Sequence, residues 1–141
     1  MGYDTRRSRV YIEGMLDKLC NHALDTIAAA PACTLSTSGP AGLQASVVAC
    51  QVQDGHIFVL IPRTTDHLFN LEHQTEVVLT TERWQLRGRA KTNTPKAPHY
   101  SAIEPRQPVV VVKVIPVRMH IEAAGGSNGH RETIDFQVLD S

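Results

Sequence analysis

A polar segment suited to binding an anion lies at the start of a short predicted helix. The apolar run 57–61 predicts a buried strand, and Arg63–His67, with the sequence Arg-Thr-Thr-Asp-His, predicts a turn that leads into a helix near 66–73. The first N–H groups of a helix lack partners within the helix, and the helix dipole favours negative charge there. Arg63 adds a guanidinium that can bind phosphate through two hydrogen bonds. The sequence therefore predicts an anion site, although Thr64 or Thr65 could instead serve only as the helix cap.

Length and composition exclude several classes of protein. The chain of 141 residues predicts one domain over 1–141, and its 14 basic and 14 acidic residues cancel, so nothing in the overall charge favours nucleic acid or anionic lipid. We find no apolar segment long enough to span a membrane and no apolar secretion signal at the start, so we expect a cytoplasmic protein. The three cysteines show no CxxC spacing and are expected to be reduced core residues.

The N-terminal third of the chain changes from a helical to a strand-like pattern. Apolar residues recur every three or four positions between Ile12 and Ile27, which predicts an N-terminal helix within 1–30 that ends before Pro31. Strands are predicted near 33–37, 43–53 and 57–61, because apolar and polar residues there alternate or form a short apolar run. Asp54-Gly55 is a strong hairpin signal. Links this short make the three strands antiparallel neighbours.

The second half of the chain adds further strands. They are predicted near 77–81 and 84–92, and a proline-rich loop follows over 94–108. Further strands are predicted over 109–115 and 117–122, with a break or bulge between them at Pro116. Residues 125–141 are predicted to be a flexible link and a C-terminal strand, either at a sheet edge or docked on a partner. About six core strands and two helices predict a mainly β fold, a closed six-stranded antiparallel barrel with flanking helices.

This order of elements resembles the FMN-binding split β-barrels related to pyridoxamine 5′-phosphate oxidase. The resemblance covers roughly residues 24–121 and is carried by Asp54–Phe58, Thr65–Leu71 and Trp84–Ala90. It implies a split barrel of the FMN-binding type that forms a homodimer, with FMN in clefts between the two subunits. The ordered set of these segments, rather than any single one, supports the resemblance.

The resemblance also implies which residues contact FMN. The second strand would meet the flavin ring, the end of the third strand and the start of the short helix would hold the phosphate, and a polar side chain of the fifth strand would approach the ring. His67 stands where the family commonly has Lys, and Asp66 adds a negative charge that Arg63 could compensate. The implied cofactor-binding residues are Ser46, Val47, Val48, Ile61, Arg63, Thr64, Thr65, His67, Arg83 and Gln85.

Function follows from the resemblance only at a general level. It implies an FMN-dependent oxidoreductase with a small-molecule substrate, and not the vitamin B6 oxidase itself, because the region after Ile121 lacks the substrate-binding segment of that enzyme. The alternatives are a non-catalytic flavin or haem carrier and a reductase that uses the deazaflavin F420. No side chain is identified as a catalytic acid, base or nucleophile.

Two further features keep alternative interpretations open. The seven histidines contain neither the spacing of a zinc-binding helix nor a Cys/His quartet, so no metal site is predicted. His120, on the polar side of a predicted strand, is either a surface residue or a haem ligand. Arg87, Arg89 and Lys91 share one side of a strand and form either a solvated face or a basic rim for a cofactor phosphate.

Overall fold

The computed structural model describes residues 18–92, 108–122 and 131–136, which form two short helices and seven strands. Most of the proline-rich loop, the glycine-rich link and the start of the predicted N-terminal helix lie outside these residues. The elements in chain order are α1 (residues 18–28), β1 (Ala32–Thr37), β2 (Gln44–Gln53), β3 (His56–Pro62), α2 (Asp66–Leu71), β4 (Glu76–Thr80), β5 (Trp84–Lys91), β6 (Val109–Glu122) and β7 (Arg131–Asp135).

The strands close into a barrel. They are hydrogen-bonded in the order β3-β2-β1-β4-β5-β6-β7, and an additional pairing of β3 with β6 closes the first six of these strands into a ring. Every pairing is antiparallel. The predicted six-stranded antiparallel split barrel is therefore confirmed. The seventh strand, β7, pairs with β6 of its own chain and lies outside the closed ring.

Local sequence explains the turns and irregularities that shape the barrel. Asp54 and Gly55 both have positive φ, of 53° and 77°, which matches the type I′ turn that suits the right-handed twist of a two-residue hairpin. At Pro116 the pairing of β5 with β6 shifts: Arg87 faces Arg118 while Gly88 faces Pro116, so Val117 is the extra residue of a β-bulge. The bulge expected at Pro116 is thus present.

The interior of the barrel is filled by every second side chain of the strands. In β5, Trp84, Leu86, Gly88 and Ala90 are buried and the residues between them are exposed. α1 contributes Ala23 and Ile27 to the same core, as its apolar periodicity predicts. The other buried apolar residues of the core are Cys33, Leu35, Val48, Cys50, Ile57, Val59, Ile61, Leu71, Val77, Leu79, Val112, Val114, Met119, Ile121, Ile134 and Phe136.

None of the helices in the described ranges is both long enough and apolar enough to cross a membrane.

Candidate functional site

A buried polar cluster lies where the end of β1 meets α2. The imidazole of His67, whose residue is 2% exposed, is hydrogen-bonded on both sides. Its Nδ1 lies 2.8 Å from Oγ1 of Thr37, and its Nε2 lies 2.7 Å from Oγ of Ser46. We call Thr37, Ser46, His67 and Asn70 the polar plug. It joins β1, β2 and α2 through side chains alone.

Asn70 connects the polar plug to the loop between β1 and β2. Its Oδ1 accepts a hydrogen bond from the backbone N–H of Ala41 (2.9 Å), and its Nδ2 donates to the carbonyl of Gly42 (2.9 Å) and to Oγ1 of Thr37 (3.2 Å). Gly39 packs so closely on Asn70 that a Cβ there would lie 2.8 Å from Oδ1. The loop that precedes β2 is therefore fixed to α2, and the position of β2 depends on it.

Burial within the polar plug favours the neutral form of His67. Burial lowers the pKa of His67, and the nearby carboxylate of Asp66 offsets this only in part. A neutral imidazole has one N–H donor and one acceptor nitrogen, so one of the two hydroxyls accepts from the ring and the other donates to it.

The lowered pKa of His67 predicts a pH-dependent stability. The unfolded chain, with the ordinary histidine value of 6.5, binds a proton before the folded chain does as the pH falls. The contribution of His67 to the free energy of unfolding is therefore fully present at pH values above its unfolded-state pKa. It is lost as the pH falls through the lower folded-state pKa. Urea unfolding between about pH 5 and about pH 7.5 should show it.

The variants for this experiment are His67→Gln and, as a control, His73→Gln. His67→Gln is expected to reduce the difference in unfolding free energy between the two pH values. His73 is exposed, so its variant should keep the wild-type difference. An unchanged pH dependence in His67→Gln would contradict the assignment.

The turn that was predicted to bind an anion is open to solvent. Arg63 and Thr64 are exposed and Thr65 is half-buried. The backbone N–H of Arg63 donates to the carbonyl of Pro108 (3.1 Å), which fixes the turn. Thr65 occupies the N-cap position of α2 but makes no side-chain capping bond; its hydroxyl donates to the carbonyl of Pro62 (2.9 Å). The hydroxyl of Thr65 thus stabilises the turn rather than the helix end.

The predicted residues of β2 and β3 divide between the two faces of the barrel. Val48 and Ile61 are core residues, and Ser46 faces inward to His67. Val47 is 73% exposed on the outer face. Of the three residues of β2 that were predicted to bind the cofactor, Val47 is thus the one whose side chain lies at the surface.

Val47 belongs to a row of outward-facing residues that crosses the sheet. The registers place Val47 opposite Thr34, Thr34 opposite Thr80, Thr80 opposite Gln85, and Gln85 opposite His120. Neighbouring strands lie about 4.8 Å apart, so Val47 and Gln85 are separated by roughly 14 Å. We call these five residues the outer row. The outer row links Val47 on the second strand with Gln85 on the fifth strand, and both were predicted to contact the cofactor.

A cavity of about 190 Å³ lies at the far end of the outer row. Nδ1 of His120 is hydrogen-bonded to Oγ1 of Thr133 (2.9 Å), which orients the ring. The cavity combines two arginines, two carboxylates and an imidazole. Its lining residues are Thr80, Thr81, Glu82, Arg83, Trp84, Gln85, His120, Glu122 and Arg131.

Seven of the ten predicted site residues therefore form three groups, while Val47 lies on the outer face and Val48 and Ile61 lie in the core. Ser46 and His67 belong to the polar plug, Arg63–Thr65 form the open turn, and Arg83 and Gln85 line the cavity. Sequence reasoning did not assign Thr37, Asn70 or Arg131 to any site. For Thr37 a signal existed, because it continues the buried alternation of Cys33 and Leu35 with a polar residue.

Comparisons with known proteins give similarity at the level of the fold. No protein-family model matches the chain, and a search of curated proteins gives no match. Among solved structures, a haem-binding protein from Mycobacterium smegmatis is similar with a TM-score of 0.60 and 19% identity, over 79% of this chain and 56% of that one. This chain thus spans little more than half the length of that protein.

Two further structures match over more of their own length. General stress protein 26 from Bacillus anthracis str. Sterne has a TM-score of 0.53 and 18% identity, over 69% of this chain and 88% of that one. A candidate pyridoxamine 5′-phosphate oxidase from Listeria innocua has a TM-score of 0.55 and 12% identity, over 73% of this chain and 97% of that one. The chain therefore has the split β-barrel fold that these proteins share.

Proposed function

We propose that the protein binds FMN between two copies of the chain and acts as an FMN-dependent oxidoreductase on a small-molecule substrate. The observation that carries the proposal is the exposed apolar surface beside the outer row. Leu43, just before β2, is 85% exposed, and Val47 is 73% exposed. Apolar side chains exposed next to polar ones are typical of surfaces that a ligand or a second subunit covers.

The outer row offers the groups that a flavin ring needs. The ring is flat and largely apolar on its faces, so Val47 would contact a face. The hydroxyls of Thr34 and Thr80 and the amide of Gln85 would form hydrogen bonds with the polar edge of the ring. FMN, when bound, supplies the hydride or electron chemistry, and the chain orients it and excludes water.

The phosphate of FMN would be bound at the open turn. The guanidinium of Arg63 is exposed, and the hydroxyl of Thr64 lies beside it in sequence, so both can reach a phosphate at the surface. Ser46 and His67 would contribute by holding β2 and α2 in position, because each is already hydrogen-bonded to the other. Arg63 would then be the main cation of the phosphate site.

The test is the absorption spectrum of the purified protein, followed by titration with FMN, F420 and haem. The proposal expects flavin absorption bands or saturable FMN binding in preference to F420. Rapid reduction of the bound FMN by NADH or NADPH is expected for an oxidoreductase, whereas a carrier would not be reduced. A colourless protein that binds no FMN would overturn the proposal.

Haem binding is the second candidate, and the cavity beside His120 favours it. Thr133 fixes the imidazole through Nδ1, which leaves Nε2 as the nitrogen that could bind iron. Arg83 and Arg131 line the same cavity and could pair with haem propionates. In the titration above, a Soret band that disappears in His120→Ala would favour haem over FMN.

The proposed dimer predicts a defined effect of acidic substitutions on the apolar surface. Leu43→Asp and Val47→Asp would bury a carboxylate in the interface, so we expect a monomer where the wild type is a dimer. Light scattering after size exclusion measures the mass directly. Asn21→Asp adds the same charge on the exposed side of α1 and should leave the dimer intact. A monomeric wild type, or dimeric acidic variants, would contradict the prediction.

A further inference from the structure

The amide of Asn70 has only one orientation that satisfies its hydrogen bonds. A backbone N–H can only donate, so the amide atom that faces the N–H of Ala41 must be the oxygen Oδ1 (2.9 Å). A backbone carbonyl can only accept, so the amide atom that faces the carbonyl of Gly42 must be Nδ2 (2.9 Å). Nδ2 also lies 3.2 Å from Oγ1 of Thr37. Asn70 is therefore the donor in its hydrogen bond with Thr37.

The direction of the next two hydrogen bonds follows from Thr37. Its hydroxyl accepts from Asn70, and its own proton also needs an acceptor, because Thr37 is only 2% exposed. Within the described ranges, the other hydrogen-bond partner of this hydroxyl is Nδ1 of His67, at 2.8 Å. Thr37 therefore donates to Nδ1. Since a histidine ring carries at least one N–H, Nε2 carries the hydrogen and donates to Oγ of Ser46 at 2.7 Å.

Ser46 is thus the last hydroxyl of a directed chain of hydrogen bonds. We call this chain, which runs from Asn70 through Thr37 and His67 to Ser46, the polar relay. The oxygen of Ser46 accepts from the ring of His67, so its own proton is left to donate to another group. Protonation of His67 would not change this, because Nε2 carries a hydrogen in both forms. Ser46 is half-buried, so its hydroxyl is an available donor.

Ser46 lies where a ligand can reach it. The pairing of β2 with β3 covers residues 49–53 of β2, so in the described part of the chain Ser46 has a strand neighbour, β1, on one side only. His67, which Ser46 contacts, lies in the first turn of α2, directly after the open turn at 63–65. The next residue, Val47, belongs to the outer row. Ser46 therefore lies beside both groups of residues that are proposed to hold FMN.

We propose that Ser46 binds a ligand as a hydrogen-bond donor, and that Asn70 is the positioning residue that keeps it in this role through the polar relay. The ligand must offer an acceptor, which is a carbonyl oxygen, an unprotonated ring nitrogen or a phosphate oxygen. FMN contains all three, so this inference rests on the proposed function and adds a ligand contact to it. The reverse relay would spend the Ser46 proton on His67 and leave the buried Thr37 proton without an acceptor.

The tautomer of His67 tests the direction of the relay on the full-length protein without any ligand. Two-dimensional ¹H–¹⁵N spectra at about pH 8, where the ring is neutral, distinguish a ring nitrogen that carries hydrogen from one that does not. The signals of His67 are those that disappear in His67→Gln. We expect the hydrogen on Nε2 in the wild type. A hydrogen on Nδ1 would overturn the proposal.

Asn70→Asp is expected to reverse the relay. A carboxylate is only an acceptor, so Thr37 would donate to the new carboxylate and accept from Nδ1 of His67, and Nε2 would accept from Ser46. The hydrogen should therefore move to Nδ1, whereas Thr37→Ser, which keeps the hydroxyl, should keep it on Nε2. Circular dichroism checks that each variant folds, and the wild-type tautomer is decisive without them. An unchanged tautomer in folded Asn70→Asp would contradict the role of Asn70.

Titration with FMN tests the ligand contact. Ser46→Ala should raise the dissociation constant of FMN about fivefold, the effect of one ordinary hydrogen bond. In the Asn70→Asp background the same substitution should have little effect, because the Ser46 proton is already used by His67. A merely structural role of Ser46 would not give this dependence on residue 70. Thr26→Val, which removes a hydroxyl from α1, is the control and should keep the wild-type affinity.

Riboflavin identifies the acceptor in the same titration. If Ser46→Ala weakens both ligands alike, Ser46 donates to the ring, and if it weakens FMN alone, Ser46 donates to the phosphate. Equal FMN affinities of Ser46→Ala and the wild type would overturn the proposal. A wild type that binds no FMN would instead overturn the proposed function and, with it, FMN as the ligand of Ser46. The tautomer of His67 would still decide the direction of the relay.

Discussion

Replacement of Gly88 by alanine is expected to destabilise the barrel by about 3 kcal/mol, at the upper end of the usual effect of overpacking. A Cβ at this position would lie 2.7 Å from the carbonyl oxygen of Ile115 and 2.7 Å from Cγ1 of Val114. The carbonyl belongs to the backbone of β6 and cannot rotate away. The substitution would therefore push β5 and β6 apart beside the bulge.

Thermal and urea unfolding measure the effect of Gly88→Ala. We expect the melting temperature to fall by roughly 10 °C for a chain of this size. Arg87→Ala, on the exposed side of the same strand, is the control and should change the free energy of unfolding by less than about 0.5 kcal/mol. Equal stability of Gly88→Ala and wild type would show that β5 and β6 lie further apart than described.

Replacement of Asn70 by alanine is expected to reduce the free energy of unfolding by on the order of 3 kcal/mol. The variant loses three hydrogen bonds, to Ala41, Gly42 and Thr37. It also leaves a small void where a completely buried amide was. The loop at 38–43 would then lose its attachment to α2.

Two measurements test this prediction. Urea unfolding gives the loss of stability, and limited proteolysis in the native state should show faster cleavage within 38–43. Asn21→Ala, at an exposed position of α1, is the matched control and should be cleaved at the wild-type rate. Wild-type stability and protection of the loop in Asn70→Ala would contradict the role of the polar plug.

The barrel could be predicted from the sequence because its strands are encoded locally. Alternation in 84–92, the Asp54-Gly55 turn and Pro116 each determine structure within a few residues of themselves. The inward face of β2 could not be predicted in the same way, because both of its faces carry apolar residues. The pairing with β1 determines which face of β2 points inward, because Ser46 lies opposite the buried Leu35.

The polar plug could not be predicted from the sequence. His67 forms hydrogen bonds with residues that are 30 and 21 positions away, Thr37 and Ser46. From its neighbours alone, His67 has the position of a phosphate ligand at a helix start. Only the closed barrel brings the two hydroxyls to its ring nitrogens and buries it.

Arg63 and Val47 are two of the predicted site residues that lie at the surface. Both were implied by the resemblance, and both are exposed where a ligand could reach them. Although the two residues are far apart in the sequence, the antiparallel pairing of β2 with β3 brings their segments close together. Their contacts with FMN stay predictions.

The most direct measurement of phosphate binding at the open turn compares the affinities for FMN and for riboflavin, which has the same ring without phosphate. The wild type should bind FMN at least about tenfold more tightly, the effect of one charge-assisted interaction. Arg63→Glu should abolish this preference, whereas Lys18→Glu, which changes an exposed cation on α1, should keep it. Equal affinities of the wild type for FMN and riboflavin would contradict the account.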